Sequence, residues 1–490
     1  MNIIALSAIF FPIFLGLYIL LGPGLNNRKT LLTITGTGLL ITAALGLAVI
    51  VKGNTDMLLF SFGKNLNLYF HVDNAGRLFA SVVTLVWVLA GFYAFEYMKH
   101  EKEEKRYFGF YLIVFGILYA LNFAGNLITY YLFYEMMTLL SVPLILHSKT
   151  KEAIMGGLKY LFYSLFGAYM VLFGIYFLNK YTTTLNFQAG GTLNYDAIAG
   201  KEGLLLVVAF FMILGFGVKA GMFPLHAWLP TAHPVAPAPA SAVMSGIIVK
   251  MGVLGILRVV FFLIGPDFIR GTWVQTTWLV LSLITVFMGS MLAFREKVMK
   301  KRLAYSTVSQ ISYILFGMAL LQPQALNGSL LHVVFHAIIK STLFMSAGTI
   351  IYKTGKTNVD DLTGIGKEMP LTIWCYTFAS AALIGIPPAS GFISKWHLAI
   401  GSLESGIATF SWLGPVVLLI SALLTSGYLL PITVHGFLPG SDYAGKTFEN
   451  KEPVKMMLIP LMILGVLAVL LGVFPNPLTT FISEISGMVL

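Results

Sequence analysis

Runs of about twenty mostly apolar residues return along the whole chain, and this repetition constrains its fold more than any other feature. In lipid every backbone N–H and C=O must be satisfied within the segment itself, so such runs read as membrane-spanning α-helices. About fourteen are found, near residues 3–22, 30–51, 73–97, 107–123, 126–147, 154–178, 203–222, 240–265, 273–294, 303–321, 327–351, 370–388, 411–437 and 456–474. A shorter apolar stretch, 392–403, follows the twelfth. Charged residues make up only 10% of the chain against 57% hydrophobic ones, too few to cover a water-soluble surface. The first run lacks a basic flank and a small-residue cleavage site, so it reads as a retained helix. A lone cysteine, Cys375, excludes a disulfide framework, a cysteine-rich zinc site and an iron–sulfur cluster.

The net charge of +11 is spread over the connecting loops and is read as membrane orientation and lipid contact rather than nucleic-acid binding. Odd-numbered loops carry most of the lysine and arginine, among them Arg28, Lys102, Arg106, Lys149, Lys297, Lys300, Lys301, Lys353 and Lys446. Even-numbered loops carry Lys52, Lys64, Lys180, Lys201 and Arg270. The asymmetry predicts cytoplasmic odd loops and both termini outside. No loop is long enough to hold a soluble catalytic domain.

Two interruptions break the apolar pattern. Phe223–Pro239 contains five prolines and no lysine or arginine. Gly385-Ile-Pro-Pro-Ala-Ser-Gly391 leads into Phe392-Ile-Ser-Lys395-Trp396. Proline cannot continue a helix, and irregular backbone at membrane depth needs protein or water around it. The first interruption is therefore read as the end of a broken helix lining a cavity and the second as its counterpart; an ordinary apolar turn at the interface is the plainer alternative. Lys159–Gly167 can be laid on His332–Lys340, an offset that also brings the two breaks near one another. Spans 4–8 then map onto spans 9–13, and a repeat of five crossings must be inverted. This divides the chain into 1–106, a first repeat 107–265, a second repeat 266–437, and 438–490 with the last span and tail.

A charge near the bilayer centre costs several kcal/mol, so charges kept within spans are functional candidates. Glu135 lies in mid-span, and Lys219, among glycines just before the first break, is its expected partner. The plainer readings are a fixed ion pair holding helices together for Glu135 and a lysine snorkelling to the cytoplasmic end for Lys219, though its flanking glycines suit close helix packing. Lys250 is central in the eighth span and is expected to join the two halves. His332, His336 and Lys340 fall at i, i+4 and i+8, which places them on one helix face as a proton wire. Zinc binding there is the weaker reading, because no acid lies between the two histidines and no third ligand is evident. Lys395 follows the second break as a terminal donor or a headgroup-facing lysine. His226 and His233 in the first break are candidates for proton intake. Asp73 and Arg77 are expected to pair structurally, Arg258 to sit at the interface, and Lys159 is ambiguous. No metal or cofactor site is expected, nor a triad, a Walker loop or a dinucleotide fingerprint, so the chain itself has no evident redox or hydrolytic chemistry.

Several long segments resemble one known family. They are the span around Glu135, Gly-Val-Lys219-Ala-Gly-Met-Phe-Pro-Leu-His-Ala-Trp-Leu-Pro-Thr-Ala-His233, Ala304–Ser312, His336–Phe344 and Gly385–Phe392. They look like the antiporter-like membrane subunits of respiratory complex I, Mrp-type Na⁺/H⁺ antiporters and membrane-bound hydrogenases. The resemblance implies an all-α integral membrane fold of about fourteen helices, with inverted five-helix repeats and broken helices 7 and 12. It implies a polar axis through Glu135, Lys219, Lys250, the His332–His336–Lys340 group and Lys395, working inside a multisubunit complex. The length and the lysine at 395 most resemble the Mrp D-type subunit or its hydrogenase-type counterpart. The expected function is proton translocation, with Na⁺ exchange open, coupled to partner membrane subunits. A self-contained solute transporter and a non-conducting scaffold are the alternatives.

Overall fold

The computed structural model describes residues 2–23, 25, 27–53, 55–61, 63, 66–440 and 449–490. Lys64 and Lys446, two of the loop cations weighed above, lie outside them. The crossings begin with α1 (Asn2–Leu21), α2 (Arg28–Lys52), α3 (Asn74–Tyr97), α4 (Glu104–Asn122), α5 (Leu127–Ile145) and α6 (Lys151–Tyr181). The seventh crossing is split into α7 (Glu202–Ala220) and α8 (Leu229–Val235), and the eighth is α9 (Ala238–Ile264). Then follow α10 (Trp273–Arg295), α11 (Met299–Ala319) and α12 (Pro323–Thr354). The twelfth crossing is split into α13 (Pro370–Ile384) and α14 (Ser390–Leu403). α15 (Ala408–Phe437) and α16 (Lys455–Val473) complete the crossings, and a terminal helix α17 (Asn476–Val489) follows.

Among the described residues, eleven helices are long and apolar enough to cross a membrane. The expected crossings outside that set have physical reasons to be. α13 is a half-helix, while α4 and α11 are almost entirely enclosed by other helices. A helix that never meets lipid need not be apolar, and α11 carries Ser306, Thr307, Ser309, Gln310 and Ser312, all buried. The apolar windows of α9 and α12 are likewise wholly enclosed, and these two central helices carry Lys250 and the His332–His336–Lys340 row.

Backbone and side-chain bonds gather the loops into two faces. Lys105 donates to Gly22 O, Arg106 to His147 O, Lys149 to Glu103, and Val359 N to Lys297 O, so the odd loops share one basic face. On the opposite face His71 N donates to Phe123 O, Gln188 N to Phe262 O, and Arg270 to Leu321 O. That face also carries a hairpin absent from the all-helical expectation: β1 (Asp56–Ser61) paired antiparallel with β2 (Asn67–His71). Asp56 fixes it by accepting from the Tyr69 hydroxyl at 2.5 Å and lying 2.7 Å from His71 Nδ1.

The fold has two inverted five-crossing repeats. α6 leaves the basic face and α12, its counterpart, returns to it. Both broken helices stop in the same way. α7 ends at Gly221 (φ +76°) and α13 at Gly385 (φ +93°), and each glycine N–H closes the last turn. A side chain is strained in that left-handed conformation, which is why glycine punctuates both breaks.

Candidate functional site

Lys219 sits in the last turn of α7, fully buried. Its Nζ donates to Thr138 Oγ1 at 2.8 Å, Ser164 Oγ at 2.9 Å and the Tyr160 hydroxyl at 3.0 Å, and lies 4.3 Å from the Tyr160 ring centroid. Three neutral acceptors and an aromatic face hold a cation without fixing it to an anion. The bonds rule out a snorkelling lysine. They also correct the expected direct pairing: Glu135 is half-buried on α5, its Oε1 has no hydrogen-bond partner, and no Glu135–Lys219 ion pair forms among the described residues. The two charges act on one another through space.

α9 packs against α7 at Gly252, where a Cβ would lie 3.1 Å from the Lys219 Cβ and 2.5 Å from Phe216 O. Only a hydrogen atom fits there, and the close approach packs the helix that carries Lys250 against the Lys219 turn. Met244–Ile248 forms a π-helical turn, and Lys250 Nζ donates to the Ser245 carbonyl within it at 2.6 Å. Such turns widen a helix, leave carbonyls under-bonded and recur at functional sites. Lys250 Nζ also lies 2.7 Å from His336 Nδ1, which accepts when the ammonium is charged.

On α12 the His332 and His336 ring centroids are 5.9 Å apart. His332 Nδ1 is 2.9 Å from Ser394 Oγ and its Nε2 3.2 Å from Gln310 Oε1. Lys340 donates to Leu303 O at 3.1 Å. The row then meets α14, where Lys395 donates to Leu383 O at 2.7 Å and Ile384 O at 2.9 Å, the free carbonyls at the end of α13. Those carbonyls carry the negative end of the helix dipole, so the break itself holds the cation. Lys395 also lies 5.0 Å from the Tyr313 ring centroid, and Tyr313 stacks on His332.

The structure thus joins Lys250, His336 and His332 in one buried row, with half-buried Lys395 beyond His332, buried Lys219 across the α7–α9 contact, Glu135 half-buried on its far side and Lys340 one turn off the row. His233 is fully buried with both ring nitrogens unpartnered, stacked on Phe344 at 4.7 Å. His226 is half-buried against Phe223. Lys159 donates to Thr231 Oγ1 at 3.0 Å and so ties α6 to α8. No group of three metal-ligating side chains occurs among the described residues.

The NADH:quinone oxidoreductase/Mrp antiporter membrane family matches residues 124–425, which contain both breaks and every residue of the row. The chain belongs to this family. A second family, the N-terminus of complex I chain 5, matches residues 60–108. The N-type subunit of the NADH-quinone oxidoreductase of Desulforudis audaxviator is 32% identical over 76% of this chain and 75% of that one. The D-type subunit of the Na⁺/H⁺ antiporter of Bacillus subtilis is 28% identical over 91% and 88%. Among solved structures, a chain of the Mrp complex from Dietzia sp. DQ12-45-1b superposes with a TM-score of 0.87 over 100% of this chain and 98% of that one, at 21% identity. The family accounts for the fold, and the breaks and the row are read from this chain's own geometry within it.

Sequence reasoning missed the groups that hold the row together. Tyr160, Ser164, Thr138, Gln310 and Ser394 are ordinary residue types in a helix, and only packing shows that the first three face Lys219 and the last two His332. The density of hydroxyls in 304–312 was the available signal. Arg258 and Asp73 were misplaced. Arg258 is buried rather than interfacial, and Asp73 pairs with it through two bonds instead of with Arg77, which bonds Ile50 O and Asn74.

Proposed function

We propose that this chain is a proton-translocating subunit of a multisubunit membrane complex, with the row from Glu135 through Lys219, Lys250, His336 and His332 to Lys395 as its path and Lys340 beside it. One observation carries this: Lys250, His336 and His332 stand in contact order on two enclosed helices, flanked by Lys219 and Lys395 at the two breaks. Burying such groups costs several kcal/mol each, and no group of three metal-ligating side chains occurs among the described residues. Neutral acceptors around Lys219 and backbone carbonyls around Lys250 and Lys395 leave each cation free to exchange its proton. Glu135 supplies the charge that alternately stabilises and releases the Lys219 proton.

The similarity to antiporter D-type and quinone oxidoreductase N-type subunits supports operation with partner membrane subunits that provide the driving force. Glu135 is the one acid in mid-membrane among the described residues, which favours protons over a sodium cage in this chain. The excess of lysine and arginine in the odd loops supports a basic face at the cytoplasmic side of the plasma membrane, with both termini outside. His226 and His233 serve proton intake from that side. The repeats span 107–265 and 266–437, flanked by 1–106 and 438–490.

Purification in mild detergent with identification of the co-purifying chains tests the assignment. Small antiporter, quinone-module or hydrogenase subunits are expected. A chain that runs alone and acidifies vesicles by itself overturns the subunit reading.

A further inference from the structure

Lys300 opens α11 on the basic face, yet its side chain turns inward and is buried. Its Nζ donates to Pro234 O at 3.0 Å and Ala236 O at 2.6 Å. Both carbonyls lie at the end of α8, directly after His233. Two of the three ammonium donors are thereby used, and no carboxylate lies within ion-pair distance among the described residues. His233 beside it has two unpartnered ring nitrogens in a site without measurable exposure. A buried imidazole bonded to nothing is costly unless it has a use. Lys300 and Lys340 both act on it electrostatically, and it stacks on Phe344, one helical turn from Lys340.

The basic face carries a cavity of about 350 Å³ whose lining includes His100, Glu101, Lys102, Glu103, His147 and Lys149. Glu101 in its wall acts on Lys300 through space. The Tyr97 ring, in the last turn of α3 just before that wall, and Ala238 Cβ both border Gly348, where a Cβ would lie 3.5 and 2.1 Å from them, which places this rim against the end of the α8–α9 turn.

We propose that this cavity is a proton-uptake site and that Lys300 carries protons from it to His233, which delivers them to Lys340 and the middle of the row. Glu101 and its neighbours collect protons at the surface. Lys300 passes one to a free ring nitrogen of His233 and is recharged from Glu101, while His233 hands its proton to the neutral amine of Lys340. The route enters between the two half-paths rather than at either end. It rests on the reading of the chain as a proton conductor.

The test uses the whole complex in vesicles, with a pH-sensitive dye and assembly checked by co-purification. Lys300→Met and Lys300→Arg are both expected to lower proton translocation about ten-fold or more. Lys300→Arg separates a carrier from a clasp, because guanidinium donates to the same carbonyls but keeps its proton. A wild-type rate in Lys300→Arg overturns the proposal. Glu101→Gln, which bears no packing load, is expected to slow uptake about three-fold; should neither lysine variant assemble, a wild-type rate in Glu101→Gln overturns it equally. Glu135→Gln is run alongside. If it stops transport while Lys300→Arg does not, only the Lys300 route falls. If Glu135→Gln itself transports normally, the underlying function falls.

Discussion

Arg258 keeps its charge inside the bundle because Asp73 takes two of its donors and the Phe187 and Phe262 rings lie 4.9 and 4.8 Å from the guanidinium carbon. Asp73→Asn leaves that cation unpaired, and a stability loss of about 3–5 kcal/mol is expected, read as a lower unfolding temperature in detergent. Asp73→Asn combined with Arg258→Met should recover part of it; no recovery would show that the pair is not what holds α3 to α9. On the basic face, His147 follows α5, and burial, followed by the Arg106 charge, pushes its pKa down to about 4. The fold thus prefers neutral His147, whereas the unfolded chain titrates near 6.5. Its contribution is complete above about 6.5 and is lost as pH falls toward 4. Hydrogen exchange of residues 98–103 and 146–150 should rise over that window, and His147→Gln should flatten the rise. At this scale the sequence was informative about charges and silent about partners. Glu135, Lys219, Lys250 and Lys395 stand out because charge is rare in apolar runs. The hydroxyls and carbonyls that receive them are common groups, selected only by packing.

Both breaks depend on glycine in a left-handed turn, but not equally. At Gly221 a Cβ would come within 2.3 Å of the Leu229 side chain; at Gly385 it would come within 3.1 Å of Lys395 Cδ. Gly200 has φ +74° with open space around it. Gly200→Ala should therefore cost only the backbone strain, about 1–2 kcal/mol, and Gly221→Ala clearly more. Thermal unfolding of the three alanine variants checks the order. Equal losses would show that the break at Gly221 is loosely packed. The breaks were legible because glycine and proline announce them in apolar surroundings. The hairpin at 56–71 was not, since its short apolar strands lie between two spans without a clear turn dipeptide. The enclosure of α11 was hidden for another reason: hydropathy records what a helix is made of, not whether lipid reaches it.

At the scale of the molecule, the inverted repeats place one broken helix at each end of a charged row, and the two enclosed helices α9 and α12 join them. Lys219 is held by three neutral acceptors and Lys395 by the carbonyl end of the preceding half-helix, so neither end is locked in an ion pair. That arrangement suits charges that rise and fall in turn, driven from a partner subunit. The inversion could be inferred from five crossings repeated in tandem, and the close approach of α7 and α9 at Gly252 could not. The central claim is that this row conducts protons, and its most direct test is ΔpH formation by vesicles containing the intact complex with Glu135→Gln or Lys219→Ala. Both variants should assemble fully and lose proton translocation about a hundred-fold or more. Wild-type ΔpH formation in both, with assembly intact, would contradict the account.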